Sequence, residues 1–534
     1  MQRQQSLNGP STSTSATQTP PAGRPGPTYL PLQRGVVSHG GWDVDKLLAE
    51  QHALAGSRAP ARVGMFGTLD LDALAMSIRS RLHAEVGYAL QVVEMLAGEF
   101  NTRAGGEADG ILPMEHCMEL WEELVVLLEE TAFGEEGLDG VREREVAEAR
   151  ATPSAQGQQR QRQLTQSDIA ARANDELAYA TVLDSFGAGS SADGTRPSRQ
   201  TKLILKVVGI LRDLSLQREN LKIVSFDFNL LETLLRLCRP SSAGLSADAE
   251  TGSLVASAAD EDRLLSVFDL LAIRQDTLHI LATIALDIPL TIRSCPPTLL
   301  AALVEFLSSY INDPSVDLYP PGSSDGHRAN EKVMLSAAVI DMAVDAFSQL
   351  TVLDANRTLL ARSVPEDELV VLYDSLARAL PLADADFMWL QIPRWSALSE
   401  RIALALYSIA FASTPSLKAR LRQSRSSQQV IPHVFRSILR QGAGRPFGAN
   451  VFAVLARRLA EVLGQLDDRD DDEAVGLSFG SGFGEAKSGA KRKRKEVRGG
   501  SWLAGEDRLW TVLMTVVECD EVAWEELEQL YFCT

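Results

Sequence analysis

Val207-Val208-Gly209-Ile210-Leu211-Arg212-Asp213-Leu214-Ser215-Leu216, continuing through Glu219-Asn220 and Ile223-Val224 to Leu230–Leu237, decides the fold. Apolar residues return every three or four positions, the period of a helix with one buried face. Leu214-Ser215-Leu216 closes a first helix, Asn220 turns the chain, and Leu231, Leu234 and Leu235 supply the inner face of a second. Ser215 is small enough to let helices approach, and the Asn220 amide suits orphan backbone groups at a helix end. The template recurs: Leu350-Thr351-Val352 precedes Asn356, Ile409-Ala410-Phe411 precedes Pro415, and Ile284-Ala285-Leu286 precedes Pro289 with one residue fewer. Such a unit cannot bury its apolar face alone, so neighbouring units stack into an α-solenoid. Alternating Val/Ile/Thr runs closed by Asn-Gly or Asp-Gly turns are missing, so the expected class is all-α.

The chain has 534 residues, of which 45% are hydrophobic, and its 52 basic against 71 acidic residues give a formal charge of -19. That balance argues against broad, sequence-independent wrapping of nucleic acid, which requires many phosphates to be neutralised. Five widely spaced cysteines with no Cys-x-x-Cys read as reduced thiols rather than a disulfide framework or zinc ribbon. The start of the chain lacks the apolar core of a secretory signal, and no apolar run approaches the ~20 residues of a membrane span. A soluble cytosolic or nuclear protein is expected.

Composition divides the chain into six parts. Residues 1–60 are a Ser/Thr/Gln/Pro/Gly tail expected to be disordered. Residues 61–133 hold two helices, one running from Leu69 to Leu96 behind an Asp70 or Asp72 cap and one from Leu112 to Phe133. Residues 134–200 form a polar insert with one helix expected at Ile169–Phe186 between flexible ends. Residues 201–466 carry the repeats, 467–500 are an acidic and basic low-complexity linker, and 501–534 supply a final helical pair.

The unit at Val207–Leu237 resembles the armadillo consensus, in which a helix ends in Leu-Ser, Asn turns the chain and a longer helix follows. The tryptophans (Trp389, Trp395, Trp502, Trp510) lack the regular ladder of armadillo proteins that bind basic peptides, so an import receptor is not expected. Upstream, Met76-Ser77-Ile78-Arg79-Ser80, then Ala84-Glu85-Val86, then Ala89-Leu90 resemble a signature of the C-terminal helical region of the ARID-bearing subunit of SWI/SNF chromatin-remodelling complexes. In that family the signature lies on one helix, and armadillo-like repeats follow. The resemblance covers roughly Met65–Phe532. It implies a core-binding region that organises other protein subunits around the ATPase, in the nucleus, with no catalysis of its own, no cofactor and no small-molecule substrate. No AT-rich interaction domain is recognised in the chain, so direct DNA binding is not carried over; what remains is an indirect or weak contact with DNA or the nucleosome. The alternative is a generic armadillo/HEAT interaction adaptor unrelated to chromatin.

The remaining motifs are weighed on context. Lys491-Arg492-Lys493-Arg494-Lys495 stands in a Gly/Ser linker and reads as a nuclear localisation signal or a small DNA-contact patch. The acidic run Asp467–Glu473 just upstream reads as a spacer. Gly476-Leu477-Ser478-Phe479-Gly480 matches a hydrolase nucleophile elbow, but its flanks are low-complexity rather than strand and helix, so it is read as chance. The seven histidines lack His-x-x-x-His spacing, and no Gly-x-x-x-x-Gly-Lys-Ser/Thr loop occurs, so no metal or nucleotide site is expected. Leu124-Val125-Val126-Leu127-Leu128 and Leu231-Glu232-Thr233-Leu234-Leu235 match a coactivator-docking pattern, yet the same leucines are needed for the core.

Overall fold

The structure is a computed structural model that describes residues 69–102, 112–134, 137–151, 165–174, 199–239, 265–291, 295–296, 298–313, 318, 327–442 and 452–466. Outside them lie the tail at 1–60, the acidic run, the Gly-x-Ser-x-Gly match, the basic run Lys491–Lys495 and the C-terminal pair. Helices account for 84% of the described residues, with no strand among them, and 18 helices pack together in an arrangement compatible with an α-solenoid.

The helices are α1 (Leu71–Arg79), α2 (His83–Thr102), α3 (Met118–Phe133), α4 (Gly137–Ala151), α5 (166–174), α6 (Arg199–Ser215), α7 (Leu221–Phe226), α8 (Phe228–Leu237) and α9 (Val267–Ile284). They continue as α10 (Leu299–Ile311), α11 (His327–Leu350), α12 (Asp354–Ser363), α13 (Glu366–Arg378), α14 (Asp386–Trp389), α15 (Pro393–Ala412), α16 (Pro415–Gln423), α17 (Ile431–Gly442) and α18 (Ala453–Leu466). Two rows emerge from their contacts. In the first, α2 packs on α6, α6 on α9, α9 on α11, α11 on α15, and α15 on α18. In the second, α3 packs on α8, α8 on α10, α10 on α13, and α13 on the π-helical turn Ser426–Val430 that leads into α17. The rows face each other through α3 on α6, α8 on α9, α10 on α11, α13 on α15 and α17 on α18.

The sequence pattern explains this layering. On α17, Ile431, Val434, Phe435 and Ile438 follow i, i+3, i+4, i+7 spacing and all are buried. On α6, Ile204, Val207, Val208, Leu211 and Leu214 form an equivalent buried stripe. Each such side chain removed from water contributes about 1.5–3 kcal/mol, and a single buried cluster runs from Leu74 to Leu466. Helix α15, contacted by α11, α12, α13 and α18, is buried nearly all round. Its Ser399, Ala403, Ala405, Ser408 and Ala410 are small, which lets several neighbours approach at once. Ion pairs mark three steps of the first row, α2 to α6, α6 to α9 and α11 to α15: Lys206 to Glu94 at 3.0 Å, Arg212 to Asp276 at 2.7 Å and Arg401 to Asp341 at 2.5 Å. Pairs this exposed are worth about 0–1 kcal/mol each, so they set alignment more than stability.

Arg274 braces the rows from inside. Its Nε donates to Gln166 Oε1 at 2.9 Å, Nη1 to the Cys238 carbonyl at 2.8 Å and Nη2 to Ser309 Oγ at 2.6 Å. The guanidinium lies 5.1 Å from the ring centroids of both Phe306 and Tyr310. It thereby joins α9 to α5, to the end of α8 and to α10. Burial pushes the neighbouring Cys238 thiol up to about 11, with Arg274 pulling the other way.

Two expectations change. The segment Leu69–Leu96 is two helices, because Ser80–Leu82 interrupts it and Arg81 adopts φ +54°. The Ser80 hydroxyl accepts the Leu82 N–H at 3.1 Å and the Arg81 guanidinium takes the Ile78 carbonyl at 2.8 Å, local bonds that replace the helical ladder. Asp70 caps α1, accepting from Asp72 N and Ala73 N. The insert at 134–200 holds a helix, α4, beyond the one expected. Leu138 is buried, and Arg142 bridges to Glu232 and Asn229 of α8. Helix α5 fills part of the expected Ile169–Phe186 helix, with Ile169 and Ala173 buried and Ser167 bonded to Asp313. The leucines at 124, 127, 128, 231, 234 and 235 are buried, as core positions require.

Leu214→Asp and Leu234→Asp each place a carboxylate without a partner in this core, and each is expected to cost more than about 3 kcal/mol. Leu216→Asp, on an exposed position two residues on, is expected to leave the melting temperature within about 2 °C of wild type. Thermal unfolding followed by circular dichroism separates them; equal destabilisation by Leu214→Asp and Leu216→Asp would overturn this register.

Candidate functional site

The turns that end α6 and α11 are built alike. After α6, Asn220 is fully buried, and its Nδ2 donates to the Leu214 carbonyl at 3.2 Å and to the Leu112 carbonyl at 3.2 Å. Its Oδ1 accepts the Met114 N–H at 2.8 Å. After α11, the Asn356 Nδ2 donates to the Leu350 carbonyl at 3.0 Å and to the Ile288 carbonyl at 3.2 Å. Leu214 and Leu350 are the first residues of their triplets; Leu112 and Ile288 each precede a proline in the loop of an earlier unit. One amide thus satisfies an orphan carbonyl at a helix end and ties two successive units.

Where Pro415 stands in place of Asn, Ser413 takes over: its hydroxyl donates to the carbonyl of Ile409, the first triplet residue, at 2.5 Å. Pro415 then opens α16 at a position where no N–H is required, and the Thr414 hydroxyl caps the helix by accepting from Leu417 N. In the shorter copy, the chain winds through a 3-10 turn, Ala285–Asp287, before Ile288 offers its carbonyl to Asn356.

Within each triplet the first two residues are buried and the third is not. Leu216 is 50% exposed, Leu286 48%, Val352 42% and Phe411 42%. These four positions share one edge of the array. Helix α7 and helix α11 both contact the 285–287 turn, Asn356 links the end of α11 to Ile288, and Arg357 lies 5.4 Å from the Phe411 ring. Phe226 on α7 and Leu353 beside Val352 are exposed as well. Charged residues of both signs rim the strip: Arg218, Glu219, Asp287 and Asp354 are exposed. Apolar side chains bordered by polar ones are the composition of a protein-binding surface. Arg357 donates to the Thr351 carbonyl at 2.5 Å and pairs with Asp354 at 2.9 Å, so its face over Phe411 and Tyr407 is fixed. Burial raises the Tyr407 hydroxyl above its ordinary range while Arg357 opposes the shift.

The signature residues divide between two helices. Arg79 pairs with Glu123 of α3 at 2.7 Å, Ser77 and Ser80 bond to backbone carbonyls of their own helix, and Ala89 and Leu90 are core. Met76 and Glu85 face solvent. Leu214, Ser215, Asn220, Leu234 and Asn356 are all buried. Sequence reading missed Ser413, Arg357 and the common exposure of the third triplet position. A signal was present in the apolar-Pro-apolar triplets Leu112-Pro113-Met114 and Ile288-Pro289-Leu290, which mark the carbonyls the asparagines bind.

Asn220→Ala strips partners from two carbonyls and one N–H and is expected to cost about 3 kcal/mol. Asn356→Ala should cost less, about 1–2 kcal/mol, because its buried Oδ1 already has no partner among the described residues. Urea unfolding of the two variants checks the order. No family model matches the chain, and no curated protein matches it.

Proposed function

We infer that this chain is a non-catalytic scaffold subunit of a SWI/SNF-type ATP-dependent chromatin-remodelling complex, built as an armadillo/HEAT-like α-solenoid. The carrying observation is the strip Leu216, Leu286, Val352 and Phe411, one exposed apolar side chain from each copy of the repeated triplet on a single edge. A series of exposed apolar contacts, one per triplet, suits the helices of partner subunits, whereas the mixed-charge rim gives specificity without strong attraction to DNA. The order of a signature segment at Met76–Leu90 followed by Leu-Ser and Leu-Thr repeats supports the chromatin assignment, and Lys491–Lys495 supports import to the nucleus. The repeat turns by themselves fit an armadillo/HEAT adaptor outside chromatin equally well, so the partners decide.

Affinity capture of the tagged chain from nuclear extract, in salt high enough to strip loose contacts, is expected to recover a SWI/SNF-type ATPase with its core subunits. The triple variant Leu216→Asp, Leu286→Asp, Val352→Asp should stay folded and lose most of that recovery. Capture of transport or cytoskeletal proteins with no ATPase refutes the chromatin reading. Undiminished capture by the folded triple variant refutes the edge as the docking surface.

A further inference from the structure

Helices α1 and α2 meet at an elbow that no helix breaker in the sequence explains. Leu71, Leu74, Ile78, Leu82, Val86, Leu90 and Val93 recur at helical spacing across it, and Ser80-Arg81-Leu82 contains neither glycine nor proline. Leu74, Ile78, Val86, Leu90 and Val93 are buried, whereas Leu82, in the middle of the row, is 59% exposed. Arg81 adopts φ +54°, the left-handed region that suits glycine and strains a larger residue. The bonds around it are those of a helix with the partners exchanged. In an unbroken helix the Ile78 carbonyl would accept the Leu82 N–H. Here it accepts the Arg81 N–H at 3.2 Å and Arg81 Nη1 at 2.8 Å, and the Leu82 N–H goes to the Ser80 hydroxyl at 3.1 Å.

The bend is held from outside. Arg81 Nε pairs with Glu130 at 2.6 Å and its Nη1 with Glu123 at 3.3 Å, while Arg79 Nε takes the other oxygen of Glu123 at 2.7 Å. Both carboxylates belong to α3. Helix α1, whose buried residues are Leu74, Ala75 and Ile78, packs on α2 and on α3. Straightening the elbow carries α1 off α3 and, within one copy, leaves two apolar faces open to water. A second copy in the same form gives each face back a partner of identical chemistry, with an arginine at position 79 again beside the acids of α3. The exchange is reciprocal, so it closes as a two-fold dimer. Short hinges under strain invite this kind of exchange.

We propose that α1 and α2 also form one continuous helix, and that two copies in this form exchange α1, each seating it on α3 of the other. The partner is a second copy of this chain. The elbow sets the balance between monomer and dimer: strain at Arg81 favours the straight helix, and the ion pairs of Arg81 favour the bent one. This inference is independent of the chromatin reading, since it rests on the elbow and its contacts alone.

Light scattering of the full-length chain during size-exclusion chromatography, across a range of concentrations, reads the balance. Arg81→Ala and Arg81→Gly both remove the guanidinium, but alanine extends a helix whereas glycine takes the left-handed turn freely. Dimer affinity is expected to be at least about tenfold higher in Arg81→Ala than in Arg81→Gly. Ser80→Ala, which removes the acceptor of the Leu82 N–H and spares the ion pairs, should shift wild type the same way by less. It keeps the test decisive where Arg81→Ala does not fold. Exchange itself is read in the Arg79→Lys, Arg81→Ala variant by carbodiimide cross-linking of position 79 to Glu123. Light and heavy-isotope protein are mixed while dilute and monomeric, then concentrated. In the dimer fraction, light–heavy links are expected to be as frequent as light–light and heavy–heavy links together. Equal dimer affinity across the folded variants overturns the proposal, as does a dimer whose links from position 79 to Glu123 all carry a single isotope.

Discussion

A carbonyl that ends a helix inside a protein must find a donor, and in this chain that requirement organises the whole array. The first-row helices stop against their neighbours, so their last carbonyls are sealed from water as soon as the units stack. Asn220 answers for Leu214, Asn356 for Leu350 and Ser413 for Ile409. The two asparagines also reach an earlier loop, at Leu112 and Ile288. A bond needed to end one helix therefore also fixes where the next unit sits, coupling local structure to packing.

That coupling leads to the proposed function. Because the chain must turn at the same place in each unit, the third residue of each triplet projects at the same place. The first two residues of each triplet are buried and the third points away from the core. Leu216, Leu286, Val352 and Phe411 are apolar nonetheless, which gives the edge its value as a contact surface. Arg274, held by three neutral acceptors and two aromatic faces, ties α9 to the second row.

Helical class and repeat turns were legible because apolar spacing and the Asn220 and Asn356 positions obey strong local rules. Helix α4 was not, since among its residues through 144 only Leu138 is buried and its hold on α8 comes through Arg142, a polar contact that periodicity does not register. The break at Ser80–Leu82 escaped because the apolar period continues across it while side-chain bonds from Ser80 and Arg81 redirect the backbone. The edge was half legible: the triplets stood out, but which of three apolar or small residues faces water depends on the neighbouring unit.

The most direct test of the central claim is carbene footprinting of the chain, free and within the complex captured from nuclear extract. If the repeat edge is the docking surface, Leu216, Leu286, Val352 and Phe411 lose labelling together on capture while Met388, exposed elsewhere, keeps it. Unchanged labelling along the four triplets, with protection confined to other surfaces, would contradict the account.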